Sequence, residues 1–323
     1  MRVMVTGAAG FIGMHVADAL LRRGDEVIGV DNFTPYYSEK LKRDRLALLE
    51  GREGFSFTEL DVADHDRLRA MDLDGVTGII HLAAQPGVRY SLDHPFEYAH
   101  ANLTAHLSMM ELARHHEGVE HFVYASSSSV YGGNTKMPFS VDDPVEHPVS
   151  LYAATKRCDE LMSQCYSHLY GIRQTGLRFF TVYGPWYRPD MALFKFADAI
   201  MADRPIRVFN HGDMRRDFTW VGDIVTGVIA ALDTPPSDEN GAPHRVYNLG
   251  NCRSEPLLKV IDLLEQALGK KAERQLEGMQ PGDVKETFAD IEATKRDLGF
   301  EPTTPIEEGI PRFVAWYMEY HGH

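Results

Sequence analysis

The feature that most constrains the fold is a glycine-rich turn near the start of the chain. The turn joins an apolar, β-rich run, Arg2–Thr6, to a segment with helical periodicity, Phe11–Arg23. Its three glycines, Gly7, Gly10 and Gly13, have separate roles: a tight bend, a close backbone approach to a pyrophosphate, and close packing of the helix on the sheet. Free N–H groups at the start of the helix favour phosphate oxygens. The pattern therefore predicts a βαβ unit that binds a dinucleotide.

Strands and helices continue to alternate through the first half of the chain. The further strands are predicted at Glu26–Val30, Phe55–Leu60, Gly78–Leu82 and His121–Ala125, with helical segments around 64–71 and 96–116. This spacing predicts an α/β fold of the Rossmann type, in which helices cover both faces of a doubly wound parallel sheet.

The pattern changes in the second half of the chain. From about residue 180 proline and glycine become frequent and the elements become shorter. We interpret 1–179 as the dinucleotide-binding domain, which also carries the catalytic residues, and 180–323 as mainly a smaller α/β substrate lobe. Thr234–Pro243 is predicted to be an exposed loop. The interpretation allows the chain to cross back between the two lobes.

Composition excludes several classes of function. The 33 basic and 47 acidic residues give a formal net charge of −14, which disfavours a nucleic-acid or anionic-membrane surface. We expect no membrane span and, since the chain opens on a strand, no signal peptide. Cys158, Cys165 and Cys252 have no CxxC spacing and are interpreted as reduced thiols of a cytoplasmic protein. The histidines form no metal-binding motif, so no metal is predicted.

Two carboxylates indicate how a dinucleotide is held. Asp31 ends the second strand, and a carboxylate at that place binds both ribose hydroxyls and repels a 2′-phosphate. NAD is therefore favoured over NADP. Asp61 and Val62, at the end of another strand, are placed near the adenine. The alternative is that Asp61 only caps the following helix.

The chemical end of the site is predicted on the helical segment Leu151–Tyr170. Its Tyr152 and Lys156 are four residues apart and project from one helix face. A phenol titrates near ~10 in water, so a phenolate base at neutral pH needs a neighbouring positive charge. A serine run, 126–129, follows a predicted strand, where ligands bind in open α/β sheets. A serine there can hydrogen-bond the substrate hydroxyl that Tyr152 deprotonates.

Longer blocks of sequence extend the pattern over nearly the whole chain. They are TGAAGFIG (6–13), DNFTPYY (31–37), HLAAQPGVRYS (81–91), SSSSVYG (126–132), YAATK (152–156), RFFTVYGPWYRPDMA (178–192), RRDFTWVGDIV (215–225) and QPGDV (280–284). With these blocks the chain resembles the extended short-chain dehydrogenases/reductases, and within that group the UDP-glucuronate 4-epimerases. The blocks at 31–37 and 178–192 are more specific to the uronate branch than the others.

The resemblance implies roles for individual residues. Tyr152 corresponds to the catalytic base, Lys156 to its partner and a ribose ligand, and Ser127 to the hydroxyl donor. Arg188 is implied to bind the uronate carboxylate, and Thr181 to lie beside the sugar. The nucleotide's phosphates and ribose are assigned to Arg216 and Asp283. The further cofactor contacts implied are Phe11, Ile12, Asn32, Leu82, Ala83, Ala84, Gln85, Asn102, Ser126 and Phe179, and the further substrate contacts are Ser128, Val208 and Asn210.

Two positions depart from the family pattern. Tyr187 stands where glycine is expected, which predicts a narrower sugar pocket. Ser127 stands where threonine is also common, and this change keeps the hydroxyl.

The activity implied is inversion of C4 of a UDP-sugar by retained NAD, through a 4-keto intermediate. UDP-glucuronate is the expected substrate and UDP-galacturonate the product. The alternatives are a UDP-glucuronate decarboxylase, a UDP-galactose 4-epimerase and a non-catalytic NAD-binding sensor. A sugar 4,6-dehydratase is disfavoured because Ser128 and Ser129 stand where its Asp-Glu pair is usual. By resemblance, the helices around 96–116 and 151–170 pair with a second subunit in a four-helix homodimer interface.

Overall fold

The structure, a computed structural model, describes residues 1–237, 241–280 and 284–322. In chain order the strands are β1 (Arg2–Thr6), β2 (Glu26–Asp31), β3 (Phe55–Glu59), β4 (Gly78–His81), β5 (His121–Ser127), β6 (Gln174–Phe179), β7 (Thr181–Tyr183), β8 (Ile206–Val208), β9 (Arg215–Arg216), β10 (Phe218–Trp220), β11 (His244–Leu249), β12 (Glu255–Pro256), β13 (Arg274–Leu276) and β14 (Glu286–Thr287). The α-helices are α1 (Phe11–Arg23), α2 (Glu39–Ala47), α3 (His65–Arg69), α4 (Tyr90–Asp93), α5 (Pro95–Tyr98), α6 (Ala105–His115), α7 (Leu151–Tyr170), α8 (Ala192–Met201), α9 (Val221–Asp233), α10 (Leu257–Leu268), α11 (Glu292–Leu298) and α12 (Ile306–His321).

A parallel sheet forms the centre of the fold, in the order β11-β6-β5-β4-β1-β2-β3. Helices α1 and α9 pack on one face, and α3, α6 and α7 pack on the other. Because such strands are covered on both sides, their side chains are apolar without alternation, and Val3, Met4 and Val5 are fully buried. The predicted doubly wound α/β fold is therefore confirmed.

Local signals fix the two helices that carry most of the site. Helix α1 follows Gly10 and ends at Gly24, whose φ of 92° suits glycine. Helix α7 begins after Ser150, whose side chain accepts a hydrogen bond of 3.1 Å from the backbone N–H of Ala153. It ends at Gly171, again in the left-handed region.

The helix predicted around 96–116 is divided in the structure. Between α5 and α6 the residues Ala99–Thr104 form a π-helical turn. Such a turn adds a residue to the helical repeat and rotates the side chains that it carries. Here it contains the buried Asn102, so hydrophobic periodicity predicted the segment but not this interruption.

Strand β5 is longer than the sequence predicted, because it includes Ser126 and Ser127. These serines pair in register with Arg178 and Phe179 of β6. Pairing within a buried sheet outweighs the weak preference of serine for strands. Both hydroxyls therefore lie at the carboxyl end of a strand, as predicted. They belong to the last two residues of the strand and not to the turn that follows it.

The chain returns to the central sheet after residue 180. Strand β11 pairs with β6, and α9 packs against α1. The small sheets β7-β10, β8-β13 and β12-β9-β14 lie outside the central sheet. The functional division between 1–179 and 180–323 stays a prediction. In the predicted loop Thr234–Pro243, the described residues form no helix or strand, and 238–240 lie outside the described residues.

Candidate active site

The glycine-rich turn leaves no room for side chains. Gly7 has a φ of 71°, and a Cβ there would lie 2.9 Å from the backbone N of Ala83. A Cβ at Gly13 would lie 2.0 Å from the carbonyl oxygen of Gly7. With Gly10, these glycines line the main cavity of the protein. A bare backbone at a helix N-terminus fits the pyrophosphate of a dinucleotide.

Asp31, the predicted ribose ligand, lies at the end of β2. Its carboxylate is nearly buried and accepts hydrogen bonds from the backbone N–H groups of Ala9 (3.1 Å) and Phe33 (2.9 Å). The nearby Lys42 donates to the carbonyl oxygen of Thr34 at 2.7 Å. Burial lowers the pKa of Lys42, although the negative charge of Asp31 opposes this shift. Both side chains line the cavity. The Asp31 carboxylate is thus held at the cavity wall by backbone N–H groups.

Asp61 is not the cap of the next helix. That position belongs to Asp64, whose side chain accepts from the backbone N–H of Arg67 at 3.2 Å. Asp61 instead accepts from the backbone N–H of Ala63 (2.9 Å) and lies 3.0 Å from Nε2 of His100. Burial raises the pKa of Asp61, but these hydrogen bonds outweigh it and lower the pKa. The carboxylate therefore stays ionised on the cavity wall.

Helix α7 directs Tyr152 and Lys156 into the same cavity. The Lys156 ammonium is buried and donates to the carbonyl oxygen of Ala125 at 3.0 Å and to Oδ2 of Asp159 at 2.9 Å. The backbone N–H of Tyr152 donates to Oγ of Ser91 at 3.2 Å. The Lys156 ammonium is thus held by β5 and by its own helix, and the first turn of α7 is tied to Ser91 of α4.

The serines after Ala125 differ in their hydrogen-bond partners. Ser126 donates to the buried carboxylate of Glu160 at 2.6 Å. Ser127 accepts from the backbone N–H of Ser129 at 3.1 Å, and its Oγ lies 3.1 Å from Oγ of Ser129. Ser126, Ser127 and Ser128 all line the cavity. Ser126 donates to a buried carboxylate, whereas Ser127 donates only to the neutral Ser129 hydroxyl, so Ser127 is the serine that can turn its hydroxyl to a ligand.

Asn102 lies behind the cavity wall and does not line it. Its side-chain amide donates to the carbonyl oxygen of Gln85 (3.2 Å) and to Oγ1 of Thr155 (2.9 Å), and accepts from the backbone N–H of Gln85 (2.8 Å). Thr155 in turn donates to the carbonyl oxygen of Tyr152. Asn102 therefore ties the segment after β4 to α7, and its predicted contact with the cofactor stays a prediction.

At the sugar end, Arg188 makes an ion pair with Asp190. Its Nε and Nη2 lie 3.0 and 2.5 Å from the two carboxylate oxygens, and the Tyr36 phenol donates to the same carboxylate at 3.1 Å. Burial raises the pKa of Asp190, but Arg188 and Tyr36 outweigh this effect and lower it. Arg188 is 20% exposed and lines the cavity with Thr181. The guanidinium thus already holds a carboxylate in a two-point contact.

Tyr187, predicted to narrow the sugar pocket, is almost completely buried in the wall of the cavity. Its ring packs edge-on against Phe11 and Phe313, with ring centroids 5.2 and 5.9 Å away. The side chain is 2% exposed, although it forms part of the cavity wall. The larger residue therefore fills the space between α1 and α12.

One cavity of about 1150 Å³ joins these features. The predicted site residues that line it are Gly7, Gly10, Phe11, Ile12, Gly13, Asp31, Asn32, Asp61, Val62, Leu82, Ala83, Ala84, Gln85, Ser126, Ser127, Ser128, Tyr152, Lys156, Phe179, Thr181, Arg188 and Arg216. The cavity is large enough for a dinucleotide beside a nucleotide-sugar.

Val208 and Asn210, predicted to contact the substrate, do not line the cavity. Arg207 and Phe209 line it instead. Val208 is fully buried, and the Asn210 amide donates to the carbonyl oxygen of Asp213. Asp283 lies outside the described residues.

Sequence reasoning missed several charged or polar residues of the site, and three of them stand out. Tyr36 and Asp190 lie within quoted blocks, yet only the fold brings them together. Asp159 is three residues after Lys156, a helical spacing that signals an ion pair.

Neutral histidines surround the buried ammonium. Burial, with a contribution from Lys156, lowers the pKa of His81 to about 3. Burial also lowers the pKa of His106. Neither ring therefore adds a positive charge that competes with Lys156 near neutral pH.

Within 1–237, 241–280 and 284–322, no helix is both long and apolar enough to cross a membrane. The same described residues contain no group of three or more metal-binding side chains.

The fold and the site define a dinucleotide-binding enzyme fold with a tyrosine–lysine pair. The chain belongs to the NAD dependent epimerase/dehydratase family, which it matches over residues 3–250. It is 45% identical to a probable UDP-glucuronate 4-epimerase of Rhizobium meliloti, covering 98% of this chain and 97% of that one. It is 47% identical to UDP-glucuronate 4-epimerase 4 of Arabidopsis thaliana, covering 99% and 76%.

Among solved structures, the fold is similar to UDP-glucuronic acid 4-epimerase from Bacillus cereus, crystallised with UDP-glucuronic acid and NAD. The TM-score is 0.90 at 33% sequence identity, over 99% of this chain and 100% of that one. The family membership and the glycine cradle agree on NAD as the cofactor.

Proposed function

We propose that this protein is an NAD-dependent epimerase that interconverts UDP-glucuronate and UDP-galacturonate. The observation that carries the proposal is that Tyr152, Lys156 and Arg188 line one cavity. This arrangement offers a base for a sugar hydroxyl and a cation for a sugar carboxylate in the same space. The names of the Rhizobium, Arabidopsis and Bacillus relatives support this substrate.

The chain's own residues perform the proton chemistry. Tyr152 takes the proton of the sugar's 4-hydroxyl, while Ser127 holds that hydroxyl in place. Lys156, fixed between Ala125 and Asp159, orients and stabilises the phenolate. The glycine cradle and Asp31 would hold NAD, which would supply a reversible acceptor for the C4 hydride. After the 4-keto sugar has turned its opposite face to the cofactor, Tyr152 returns its proton to the 4-oxygen.

The reaction needs a tight hold on the nucleotide and a loose hold on the sugar. We assign the nucleotide to Arg216 and to Asp283, which lies outside the described residues. Binding energy from this distant part keeps the intermediate in place while the reacting end reorients.

We assign the uronate carboxylate to Arg188. The 4-keto form is a β-keto acid, which loses carbon dioxide when the bond to the carboxylate aligns with the carbonyl π system. A guanidinium can hold the carboxylate at two points near the ring plane, a geometry that lysine cannot provide. In the proposed complex the substrate takes over part of the contact that Arg188 now makes with Asp190.

The second candidate is a UDP-glucuronate decarboxylase, and the same ion pair favours it. If Asp190 keeps the guanidinium during turnover, the substrate carboxylate is unrestrained and is lost. The two candidates differ in product, so one experiment separates them.

The test is incubation of the purified protein with UDP-glucuronate in D₂O, with and without added NAD, followed by proton NMR. The epimerase yields UDP-galacturonate with hydrogen retained at C4 and C5, because the hydride returns internally. A decarboxylase yields a UDP-pentose with solvent deuterium at C5, together with carbon dioxide. Formation of the pentose alone overturns the proposal, and absence of any product favours an NAD-binding sensor.

We further propose a homodimer, paired through helices α6 and α7. Leu161, Cys165 and Leu169 of α7 are exposed and four residues apart, so they form one apolar stripe. Leu107 of α6 and Phe96 of α5 are also exposed, at 41% and 87%. Replacing Leu161 by glutamate is expected to give monomers in light scattering. A dimer that survives this change overturns this interface.

We also propose a cytoplasmic location. The three cysteines are unpaired, as expected for a reducing compartment. Cell fractionation tests this directly, and recovery outside the cytoplasm overturns it.

A further inference from the structure

We propose that Arg45 is a positioning residue that places Arg188 at the sugar end and couples this placement to the cofactor loop. The role of Arg188 rests on the function proposed above. Arg45 lies on α2, away from the cavity lining, and is fully buried. This role rests on the hydrogen bonds that its guanidinium makes.

Arg45 binds two loops at once. Its Nε and Nη2 donate to the carbonyl oxygen of Trp186 at 3.1 and 2.8 Å, and Nη2 also lies 3.4 Å from that of Tyr187. Its Nη1 donates to the carbonyl oxygen of Ala9 at 3.2 Å and to the Tyr37 phenol at 2.6 Å. Ala9 belongs to the glycine-rich cofactor turn, whereas Trp186 and Tyr187 directly precede Arg188.

The chemistry of these contacts is unusual for a buried cation. A buried guanidinium commonly faces a carboxylate. Within the described residues, Arg45 makes no ion pair, and the hydrogen bonds above all go to neutral oxygens. Its planar fork fixes the directions of several carbonyl groups together, which a lysine ammonium cannot do. The charge therefore serves to hold backbone in place.

The backbone that Arg45 holds is strained. Trp186 has a φ of 61°, a left-handed conformation that a bulky residue rarely adopts. Its ring packs against Trp316 and Tyr320 of α12, with centroids 5.5 and 5.3 Å away. The Tyr320 phenol donates to Asp44 of α2 at 2.5 Å. Trp186 is thus held by its carbonyl from one side and by its ring from the other.

A second contact reaches the Arg188 loop from the segment 31–37. Tyr36 donates to Asp190, which pairs with Arg188. Tyr36 and Tyr37 belong to the segment 31–37, whose first residue, Asp31, is the predicted ribose ligand. The Arg188 loop is therefore held at two places, by Arg45 and by Tyr36. Arg45 makes more of the hydrogen bonds. Three of the five hydrogen bonds of Arg45 go to Trp186 and Tyr187 and one goes to Ala9, so displacing Arg45 should move Arg188 more than the glycine cradle.

The main test compares Arg45→Lys with the matched control Arg43→Lys in the full-length protein. Arg43 lies on the same helix, is 52% exposed and pairs with Glu39. Each protein is assayed with UDP-glucuronate for the ratio of UDP-pentose to UDP-galacturonate, for KM and for bound NAD. We expect Arg45→Lys to raise the ratio and KM by about tenfold or more while NAD is retained, because an ångström-scale displacement is costly. Arg43→Lys should behave like the unaltered protein.

The product ratio separates positioning from loss of folded protein, since unfolded molecules form neither product. An unchanged ratio and KM in Arg45→Lys overturn the proposal. If the unaltered protein forms no UDP-galacturonate, the proposed function fails by itself. The positioning role is then decided by hydrogen–deuterium exchange.

The exchange experiment does not depend on the substrate. In the NAD-loaded protein, we expect amides of 184–192 to exchange about tenfold faster in Arg45→Lys, with the central sheet unchanged. Equal exchange overturns the proposal. Should Arg45→Lys fail to fold, Tyr37→Phe removes one of the Arg45 contacts and should shift exchange in the same direction. No shift in that variant also overturns it.

Discussion

The Lys156 ammonium lies 2.9 Å from the Asp159 carboxylate, and both groups are buried, with 4% and 0% of the side chain exposed. Burial raises the pKa of Asp159 to about 6, although Lys156 opposes that shift. The second carboxylate oxygen has no hydrogen-bond partner among the described residues. The carboxylate offsets part of the positive charge that Tyr152 needs nearby.

Asp159→Asn should therefore change the pH dependence of catalysis. Without the carboxylate, Lys156 exerts its full charge on the phenolate, so the acid limb of the rate profile should move about one pH unit lower. The measurement is the initial epimerisation rate from pH 5 to 9. His81, His106 and Glu160 also face this pair. They are unchanged in the variant, so they do not produce the shift.

Asp262→Asn is the control, because Asp262 is an exposed carboxylate on α10. It should leave the profile unchanged. An unshifted acid limb in Asp159→Asn would show that Lys156 is not balanced by this carboxylate during turnover.

Tyr152→Phe should abolish turnover and keep the cofactor. Loss of a proton-transfer group typically costs about 10²–10⁴-fold in rate. The ring itself still packs near Tyr98, at 6.1 Å between centroids, so the fold is retained. The measurement is the rate of UDP-galacturonate formation together with the NAD content of the purified protein. Tyr170→Phe, on the same helix and 42% exposed, is the matched control. A Tyr152→Phe rate within tenfold of the unaltered protein would assign the base elsewhere.

The parts of the site that the sequence predicted are those encoded locally. The glycine turn, Asp31 and the Tyr152–Lys156 spacing each lie within one element or its end, and the structure places them all on the cavity. Parallel strands place their carboxyl ends at one edge, so the chain order is enough to bring these groups together.

The contacts that sequence reasoning missed are long-range. Tyr36 and Asp190 are 154 residues apart, and Arg45 and Trp186 are 141 apart. No periodic pattern encodes such pairs. Val208 is a local case, because its side chain is buried in β8 while its neighbours Arg207 and Phe209 line the cavity. The resemblance placed this segment at the site but did not show which side chains face the cavity.

Asp31→Asn should shift the cofactor preference towards NADP. The amide keeps the side chain's shape but removes the charge that repels a 2′-phosphate, and Lys42 remains nearby as a cation. We expect the ratio of NAD to NADP affinity to fall by about tenfold, corresponding to about 1.4 kcal/mol. Isothermal titration of cofactor-free protein measures both affinities. The control is Asp61→Asn, which removes a different carboxylate of the cavity wall. It should weaken the binding of NAD without improving the binding of NADP. An unchanged preference in Asp31→Asn would remove Asp31 from the ribose position.

Buried neutral histidines should make the protein less stable in mild acid. Burial lowers the pKa of His81 to about 3 and those of His121 and His244 to about 4. Because the unfolded chain binds protons below about pH 6.5 and the native rings do not, stability is present above that pH and is lost as the pH falls towards 4. Asp159 and Asp217, with pKa values raised by burial to about 6, act in the opposite direction. For these five groups together, the net loss between pH 7.5 and 5.5 is expected to be about 3 kcal/mol.

Replacing one histidine isolates its share of this loss. His121 lies 2.9 Å from both the carbonyl oxygen of Leu232 and Oγ1 of Thr175, so glutamine can keep one or both contacts. His121→Gln should lower stability at pH 7.5 but reduce the further loss at pH 5.5 by about 1.4 kcal/mol, the linkage of one proton over one pH unit. Urea denaturation at the two pH values measures the difference. If the loss between pH 7.5 and 5.5 is the same in both proteins, the ring of His121 is protonated in the native state, contrary to the pKa that its burial implies.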